Sequence, residues 1–523
     1  MKQSLSLVSK KNTVVFVALV PLLAFSQFQI PNQRLSQGDR LDFSVDTAKV
    51  LANTEKRIGG ISFCFLKGWA TGKGPYDKQG GYVLSPKMES AIRELKLPMT
   101  RFHEITWGFD KEIDKFAALD RLASLLDTLK IPQETTPLSL NDHDSRRTTH
   151  PLISTKEWVD LVAYSKRKGY RFKYWEIVNE PWIGSVFGSK TAMFRAPDDY
   201  VAYLTNVSAA IHAADPAALV GADIITPWAG GYPPKAPFLG GLPDDSWGTY
   251  VLGRAAGYYE WVAGHFYSYA RRNQPLDEYF FRNNFETMNN VQRLNTALHK
   301  LNPAHPAYQY DTEWATAEGN MPPRVAGNMV GVLHHAIRLI YYTRESLMKG
   351  ASAWQMLSTS AEKDMNFAIL NMQDDSVTSM RYWLYYYFNR HMGDWVLDIK
   401  GTAPQQSMRT GKEKTIPVVK TPPLVTVNSN KTELYLMVAN GDWKNDCPCN
   451  MTVTGMNITS ISAVVLNNGD ANASPWIHQQ SNFVSPQAMT LSTAAGQSKI
   501  SFTLPAHSVV FATCKSVRTG AVR

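Results

Sequence analysis

The chain has 523 residues, 44% of them apolar and 11% aromatic, which excludes a disordered or fibrous protein and exceeds what one ordinary core organises. The formal net charge of +9 fits an acidic substrate or a plain solubility preference. No Arg/Lys-rich helix or nucleic-acid motif accompanies it, so nucleic acid is not expected as a partner.

The N-terminus opens with Lys2, Lys10 and Lys11, followed by the twelve-residue apolar run VVFVALVPLLAF and the small residues Ala24 and Ser26. This is the pattern of a cleaved secretory signal over residues 1–26, and the run is short for a membrane span. An uncleaved anchor is the rival reading. No later segment is long and apolar enough to span, so no membrane span is expected after signal removal, and the expected location is secreted, periplasmic or cell-surface.

From residue 58 to 357, eight short apolar runs alternate with amphipathic stretches. The runs are IGGISFCF, LPMTRFHEITW, IPQETTPLSL, FKYWEIVNEPW, LVGADIITPW, WVAGHFYSY, PAYQYDTEWA and GASAWQML. Between them, stretches such as KFAALDRLASLLDTLK and AGNMVGVLHHAIRLIYY carry apolar residues at three- and four-residue spacing. Strand and helix in alternation mean parallel βαβ units, and eight of them match a (β/α)8 TIM barrel over 58–392. A doubly wound sheet is disfavoured because no Gly-rich phosphate loop follows the first run.

After residue 392 helical periodicity gives way to short alternating segments such as TELYLMVAN and SKISFTLPA. These predict an antiparallel β-sandwich over 393–523, to which residues 27–57, with RLDFSVDT, can add a strand. Sequons stand at Asn206, Asn430, Asn450, Asn457 and Asn472. Of four cysteines, Cys514 is expected to bridge Cys447 or Cys449, leaving Cys64 free and buried.

In a barrel enzyme the chemistry sits at the C-terminal ends of the strands. The fourth run ends Asn179-Glu180-Pro181 and the seventh ends Asp311-Thr312-Glu313-Trp314, which sets two acids across one barrel mouth. Glycosidic cleavage needs such a pair, one carboxyl protonated to assist the departing oxygen and the other ionised to attack. Asn179 can bond a sugar 2-hydroxyl, and Pro181 ends the strand because it has no N–H for the ladder. Asp311 is expected on the strand face of Glu313, one step deeper. Glu318 lies in the loop beyond. Glu176, on the face of Glu180, reads as a structural partner of Arg101 or Lys173. His103 and Glu104 can line the cleft, and Trp107, Trp182, Trp228 and Trp314 stand at strand ends where indoles stack on sugars. The charged loop 141–147 is solvated or meets an acidic sugar; it is not read as a metal site, and no metal or cofactor is expected.

IVNEPW resembles the Asn-Glu-Pro signature of clan A glycoside hydrolases, the "4/7" retaining superfamily. The resemblance covers about residues 58–390 and implies that Glu180 is the acid/base and Glu313 the nucleophile. It further implies that Arg101 supports the nucleophile and keeps it ionised, that Tyr267 in the His265-x-Tyr267 pair touches it, and that Trp354 is a platform under the sugar. The β-domain resembles those of families 39, 86, 30 and 79. The expectation is therefore a secreted retaining hydrolase of β-glycosidic bonds in a polysaccharide, with an agar- or porphyran-like acidic galactan favoured and a β-xyloside or β-glucan second. The alternatives from other classes are a non-catalytic carbohydrate-binding protein on a barrel scaffold and a structural or adhesive surface protein.

Overall fold

The structure is a computed structural model, and it describes residues 35–63, 84–102, 105, 115–140, 152–182, 193–224, 247–269, 276–317, 328–345, 347–358, 368–371, 374–410, 414–468, 470, 473–494 and 496–516. The signal-like segment, Cys64, His103, Glu104, Trp107, the loop 141–147, Trp228, Glu318 and Asn472 lie outside the described residues.

The long strand β1 (Leu41–Asn53) belongs to the C-terminal sheet. Seven parallel strands follow, β2 (Gly60–Ile61), β3 (Leu138–Ser139), β4 (Tyr174–Ile177), β5 (Leu219–Ile224), β6 (Trp261–Gly264), β7 (Tyr308–Trp314) and β8 (Met348–Ala353), hydrogen-bonded in the order β2-β8-β7-β6-β5-β4-β3. Residues 100–102 close the remaining gap. Phe63 N–H donates to Arg101 O at 3.1 Å, while Phe102 N–H donates to Pro137 O at 3.2 Å and Ser139 N–H to Phe102 O at 2.9 Å. Eight parallel segments thus make a ring, clothed by α1 (Pro86–Glu94), α2 (Lys115–Leu129), α3 (Thr155–Arg167), α4 (Pro197–Ala214), α5 (Trp247–Arg254), α6 (Leu276–Leu301), α7 (Met329–Arg344) and α8 (Met380–Phe388). Ser154 and Glu157 form a reciprocal capping box at α3, and Ser85, Asn328 and Ser379 cap α1, α7 and α8 by accepting from the first turn.

The base of the ring is filled by Tyr174, Trp261 and Tyr310, packed with Met99 and Ala263. Glycines on neighbouring strands make this possible: a Cβ at Gly221 would sit 2.2 Å from the Trp261 ring, and one at Gly350 2.4 Å from Tyr310. Arg57 plugs the floor, donating to both tyrosine hydroxyls and held by Glu55 at 2.7 Å. The large side chains are therefore at one end, and the other end is left for polar groups.

Helix α7 is buried along its whole length. It has the ring on one side and the C-terminal domain on the other. Tyr387 of α8 also stacks on Phe511 across this seam, with ring centroids 5.8 Å apart.

The C-terminal domain differs from a purely antiparallel sandwich. With β9 (Trp395–Ala403), β10 (Pro423–Val427), β11 (Glu433–Asn440), β12 (Cys447–Thr454), β13 (Ile458–Asn467), β14 (Val484–Pro486), β15 (Thr490–Ala494), β16 (Gln497–Leu504) and β17 (Ser508–Ser516), one continuous path runs β14-β13-β17-β11-β10-β9-β1-β12-β16-β15. Its two ends meet, since Ile458 N–H donates to Ser498 Oγ at 2.9 Å and Thr493 Oγ1 to Ile458 O at 3.2 Å. β1 pairs β9 antiparallel but β12 parallel, and residues 35–37 pair β9 parallel. Strands that come from the far end of the chain have no hairpin to force antiparallel pairing. Cys447, Cys449 and Cys514 are buried and free, which corrects the expected bridge. Cys514 is on β17 and the other two on β12, with four strands between them along the sheet.

Candidate active site

Strand β4 delivers its polar tip through a backbone break. Val178 and Glu180 both take positive φ, 69° and 50°, a region that costs a non-glycine residue about 1–3 kcal/mol. The conformation is held from the next strand, where Asp223 Oδ2 accepts from Glu180 N–H at 2.8 Å. The result is that Glu176, Asn179 and Glu180 all reach polar partners at the mouth.

Arg101 is the hub. Its guanidinium is fully buried and donates to both oxygens of Glu176 (2.8 and 2.7 Å), to Asn179 Oδ1 at 2.6 Å and to Glu313 Oε2 at 2.8 Å. Burial works against its charge, but the Glu176 and Glu313 carboxylates outweigh burial and hold it protonated.

Glu313 reaches this hub because β7 is bulged. Between the pairings Asp311↔Ala351 and Trp314↔Ala353, three steps on β7 match two on β8. Thr312 and Glu313 therefore both meet groups of the site. Asp311 instead bonds Tyr342 of α7, and Trp314 packs on His335 of α7 at 4.4 Å, so both face the helix layer. This corrects the expectation that Asp311 shares the face of Glu313. Trp314, wholly buried against α7, is not placed to stack on a sugar.

Both Glu313 oxygens accept hydrogen bonds, one from Arg101 and the other from Tyr267 Oη at 2.6 Å. Burial pushes the Glu313 carboxyl up, and the Glu180 charge adds to that; His265, Arg101 and Tyr267 pull it down without cancelling the rise. Arg101 favours the ionised form, as expected, but burial dominates.

Glu180 is the more open acid, its side chain 19% exposed against 9% for Glu313. Its Oε1 lies 2.9 Å from His265 Nδ1, and His265 Nε2 lies 3.2 Å from Thr312 Oγ1. Thr312 gives its single hydroxyl proton to Glu176 Oε1 at 3.3 Å, so it accepts from His265 Nε2–H. His265 therefore links Glu180 to Thr312, and through Thr312 to Glu176.

One ligand atom each from Glu180, His265 and Glu313 lies within 4.8 Å of the others. Such a triad could in principle hold a cation, as could Glu176, Asp223 and His265. The acceptor atoms of Glu176 and Glu313 are already engaged by the Arg101 cation and by hydroxyl donors, which suits carboxylates kept for a polar reaction better than ligands kept for a metal. One oxygen of Glu180 and one of Glu313 thus come within 4.8 Å of each other, close enough for both acids to meet one glycosidic bond.

Trp354 packs with Tyr267 and Ala315 at the mouth and is 9% exposed, and its peptide bond to Gln355 is cis. Trp182 is 4% exposed and sets its ring edge-on to His265, centroids 5.7 Å apart, and to Trp247. It therefore braces His265. Two participants escaped the sequence reading. Asp223 is the last residue but one of β5, and burial and then the Glu176 charge push its carboxyl well up; the acid in LVGADI was the signal. Thr312 was hidden by the assumption of strict alternation.

The geometry can be set beside known proteins. Residues 312–508 match the family described as alpha-L-arabinofuranosidase C-terminal domain. No curated protein matches the chain. Among solved structures, the alpha-L-arabinofuranosidase from Thermotoga maritima, solved as an arabinose complex, superposes with a TM-score of 0.68 at 12% identity, over 91% of this chain and 99% of that one. The chain has the architecture of a glycoside hydrolase. The family 51 arabinofuranosidase of Xanthomonas axonopodis pv. citri gives 0.67 at 12% identity over 91% and 100%. The family 39 enzyme of the same organism gives 0.57 at 14% identity over 92% and 98%. This glycoside-hydrolase architecture, with barrel and C-terminal β-domain, is shared with enzymes of families 51 and 39.

Proposed function

We propose that the chain is a retaining glycoside hydrolase that removes α-L-arabinofuranosyl groups from a polysaccharide or its oligomers. The observation that carries the reaction is the pair Glu180 and Glu313, with oxygens within 4.8 Å of each other at the ends of β4 and β7. Glu313 attacks the anomeric carbon while Glu180 gives its proton to the leaving oxygen, so a C–O bond forms as another breaks. Glu180, now a carboxylate, takes a proton from water, which cleaves the glycosyl-enzyme and restores both acids. Arg101 and Tyr267 hold Glu313, and Asn179 is placed to bond the sugar 2-hydroxyl.

The sugar is inferred from likeness. The match over 312–508 to an arabinofuranosidase domain and the superpositions on arabinofuranosidases support a furanoside and turn the reading away from an agar- or porphyran-like galactan. A β-xyloside or β-glucan remains the second reading, supported by the family 39 enzyme and by CelM2, a bifunctional glucanase-xylanase, at a TM-score of 0.58. The basic n-region and apolar run before residue 27 support export by a signal segment. Among the described residues no helix is long and apolar enough to cross a membrane.

The test is hydrolysis of aryl α-L-arabinofuranoside, β-xyloside, β-glucoside and β-galactoside, with agar and porphyran alongside, by wild type, Glu180→Gln and Glu313→Gln. Arabinofuranoside cleavage lost in Glu313→Gln supports the proposal. Cleavage of xyloside or glucoside alone selects the second reading. Binding without cleavage of any glycan selects a carbohydrate-binding protein.

A further inference from the structure

The two side chains that touch the two candidate catalytic acids flank one residue. His265 bonds Glu180, Tyr267 bonds Glu313, and Phe266 lies between them. These three residues are themselves unpaired, lying between the ladder pairings Gly264↔Asp311 and Ser268↔Thr316. The peptide groups of Phe266 are instead gripped from behind. Asp311 Oδ1 accepts from Phe266 N–H at 3.1 Å, and Arg338 Nη1 donates to Phe266 O at 3.1 Å. Tyr342 ties the two together, donating to Asp311 Oδ2 at 2.6 Å and accepting from Arg338 Nη1 at 3.1 Å.

All three clamp residues are fully buried. Arg338 is itself fixed, its Nε on Asn284 Oδ1 at 2.7 Å and its Nη2 on Thr287 Oγ1 at 2.9 Å, both from α6. The clamp therefore joins β7, α6 and α7 to the two peptide groups that flank Phe266. The bulge that turns Glu313 toward Arg101 is the same feature that leaves Asp311 facing Phe266, so the nucleophile and the clamp acid are set by one stretch of strand.

We propose that Asp311 and Arg338, joined by Tyr342, are positioning residues that grip the two peptide groups flanking Phe266 and so hold His265 on Glu180 and Tyr267 on Glu313. The inference rests on Glu180 and Glu313 being the catalytic pair. A single buried grip then controls both halves of the reaction, the proton on the acid and the orientation of the nucleophile, from outside the cleft.

The test pairs an activity readout with one that needs no activity. Full-length wild type, Tyr342→Phe and Asp311→Asn are compared by hydrogen–deuterium exchange of the peptide spanning residues 261–269, and by kcat, KM and pH profile on the glycoside that wild type cleaves. The proposal expects faster exchange at Phe266 in both variants. It expects kcat to fall roughly 10- to 100-fold with KM within about threefold, and the basic limb of the profile to move as His265 leaves Glu180. Tyr342→Phe removes one hydroxyl and is the variant that decides if Asp311→Asn folds poorly. Wild-type exchange, or faster exchange with wild-type kcat and pH profile, overturns the proposal. A wild type that cleaves no glycoside overturns the catalytic reading instead, and exchange still decides whether the clamp exists.

Discussion

Arg101 Nη1 stands 2.8 Å from Glu313 Oε2 while the rest of the same guanidinium holds Glu176 and Asn179. One planar cation thus fixes the nucleophile candidate, its structural counter-acid and the residue beside the acid/base. An ammonium on a flexible stem cannot copy that fork. Arg101→Lys is expected to lower kcat/KM by roughly 10²-fold or more, with folded protein retained, as read by steady-state kinetics beside far-UV circular dichroism. Wild-type kinetics in this variant would remove Arg101 from the site.

Glu180 and Glu313 should separate by leaving group. Glu180→Gln should lose about 10²–10⁴-fold on a poor leaving group such as a sugar, and far less on a nitrophenyl glycoside that departs without a proton. Its basic limb should vanish from the pH profile. Glu313→Gln should be inactive on both. Equal losses on the two substrates in Glu180→Gln would reject the assignment.

Trp314 is predicted to matter for stability. Its indole is sealed between β7 and α7, against His335, Tyr342 and Arg338. Trp314→Ala should cost about 3–5 kcal/mol in denaturant unfolding, the range for emptying a large aromatic from a core. A loss below about 1 kcal/mol would contradict the burial.

Burial pushes the Asp311 carboxyl up to about 7, with Arg338, Tyr342 and the Phe266 N–H opposing. The folded value lies above the ordinary one, so the folded state binds this proton more tightly than the unfolded chain. The associated stability is present below about pH 4 and is lost as pH rises to about 7, by roughly 4 kcal/mol at most. The gap in unfolding free energy between wild type and Asp311→Asn should therefore shrink on going from pH 4 to pH 8. A constant gap would show that Asp311 titrates normally.

The free thiols give a direct check on the β-domain. Denatured, unreduced protein should titrate at least three thiols, Cys447, Cys449 and Cys514. Burial raises the Cys514 thiol to about 12, so the native protein should leave it unlabelled near neutral pH. Fewer than three thiols after denaturation would restore the bridge.

What could be read from the residues was the part governed by local pattern. Alternating runs marked the parallel ring, and Asn179-Glu180-Pro181 and Glu313 marked two strand ends at one mouth. Glu176 could be matched to Arg101 because both sit on polar-tipped runs. What escaped was set by a break in periodicity or by distant pairing. The bulge in β7 turned Asp311 and Trp314 outward, and a period-two reading has no means to place an extra residue. Asp223 was a lone acid in an apolar run, meaningful only once β5 lies beside β4. The parallel pairing of β1 with β12 joins segments some 400 positions apart, which no hairpin signal announces. The cysteines were even in number and in a sequence read as exported, yet the sheet path sets them on strands that are not neighbours.

The measurement that tests the central claim most directly is the anomeric configuration of the first-formed sugar, followed by proton NMR as wild type hydrolyses an aryl α-L-arabinofuranoside. Glu313 as nucleophile and Glu180 as acid/base predict that the α-anomer appears first and that the β-anomer grows in later by mutarotation. First appearance of the β-anomer would mean direct attack by water and would contradict the assignment of Glu313.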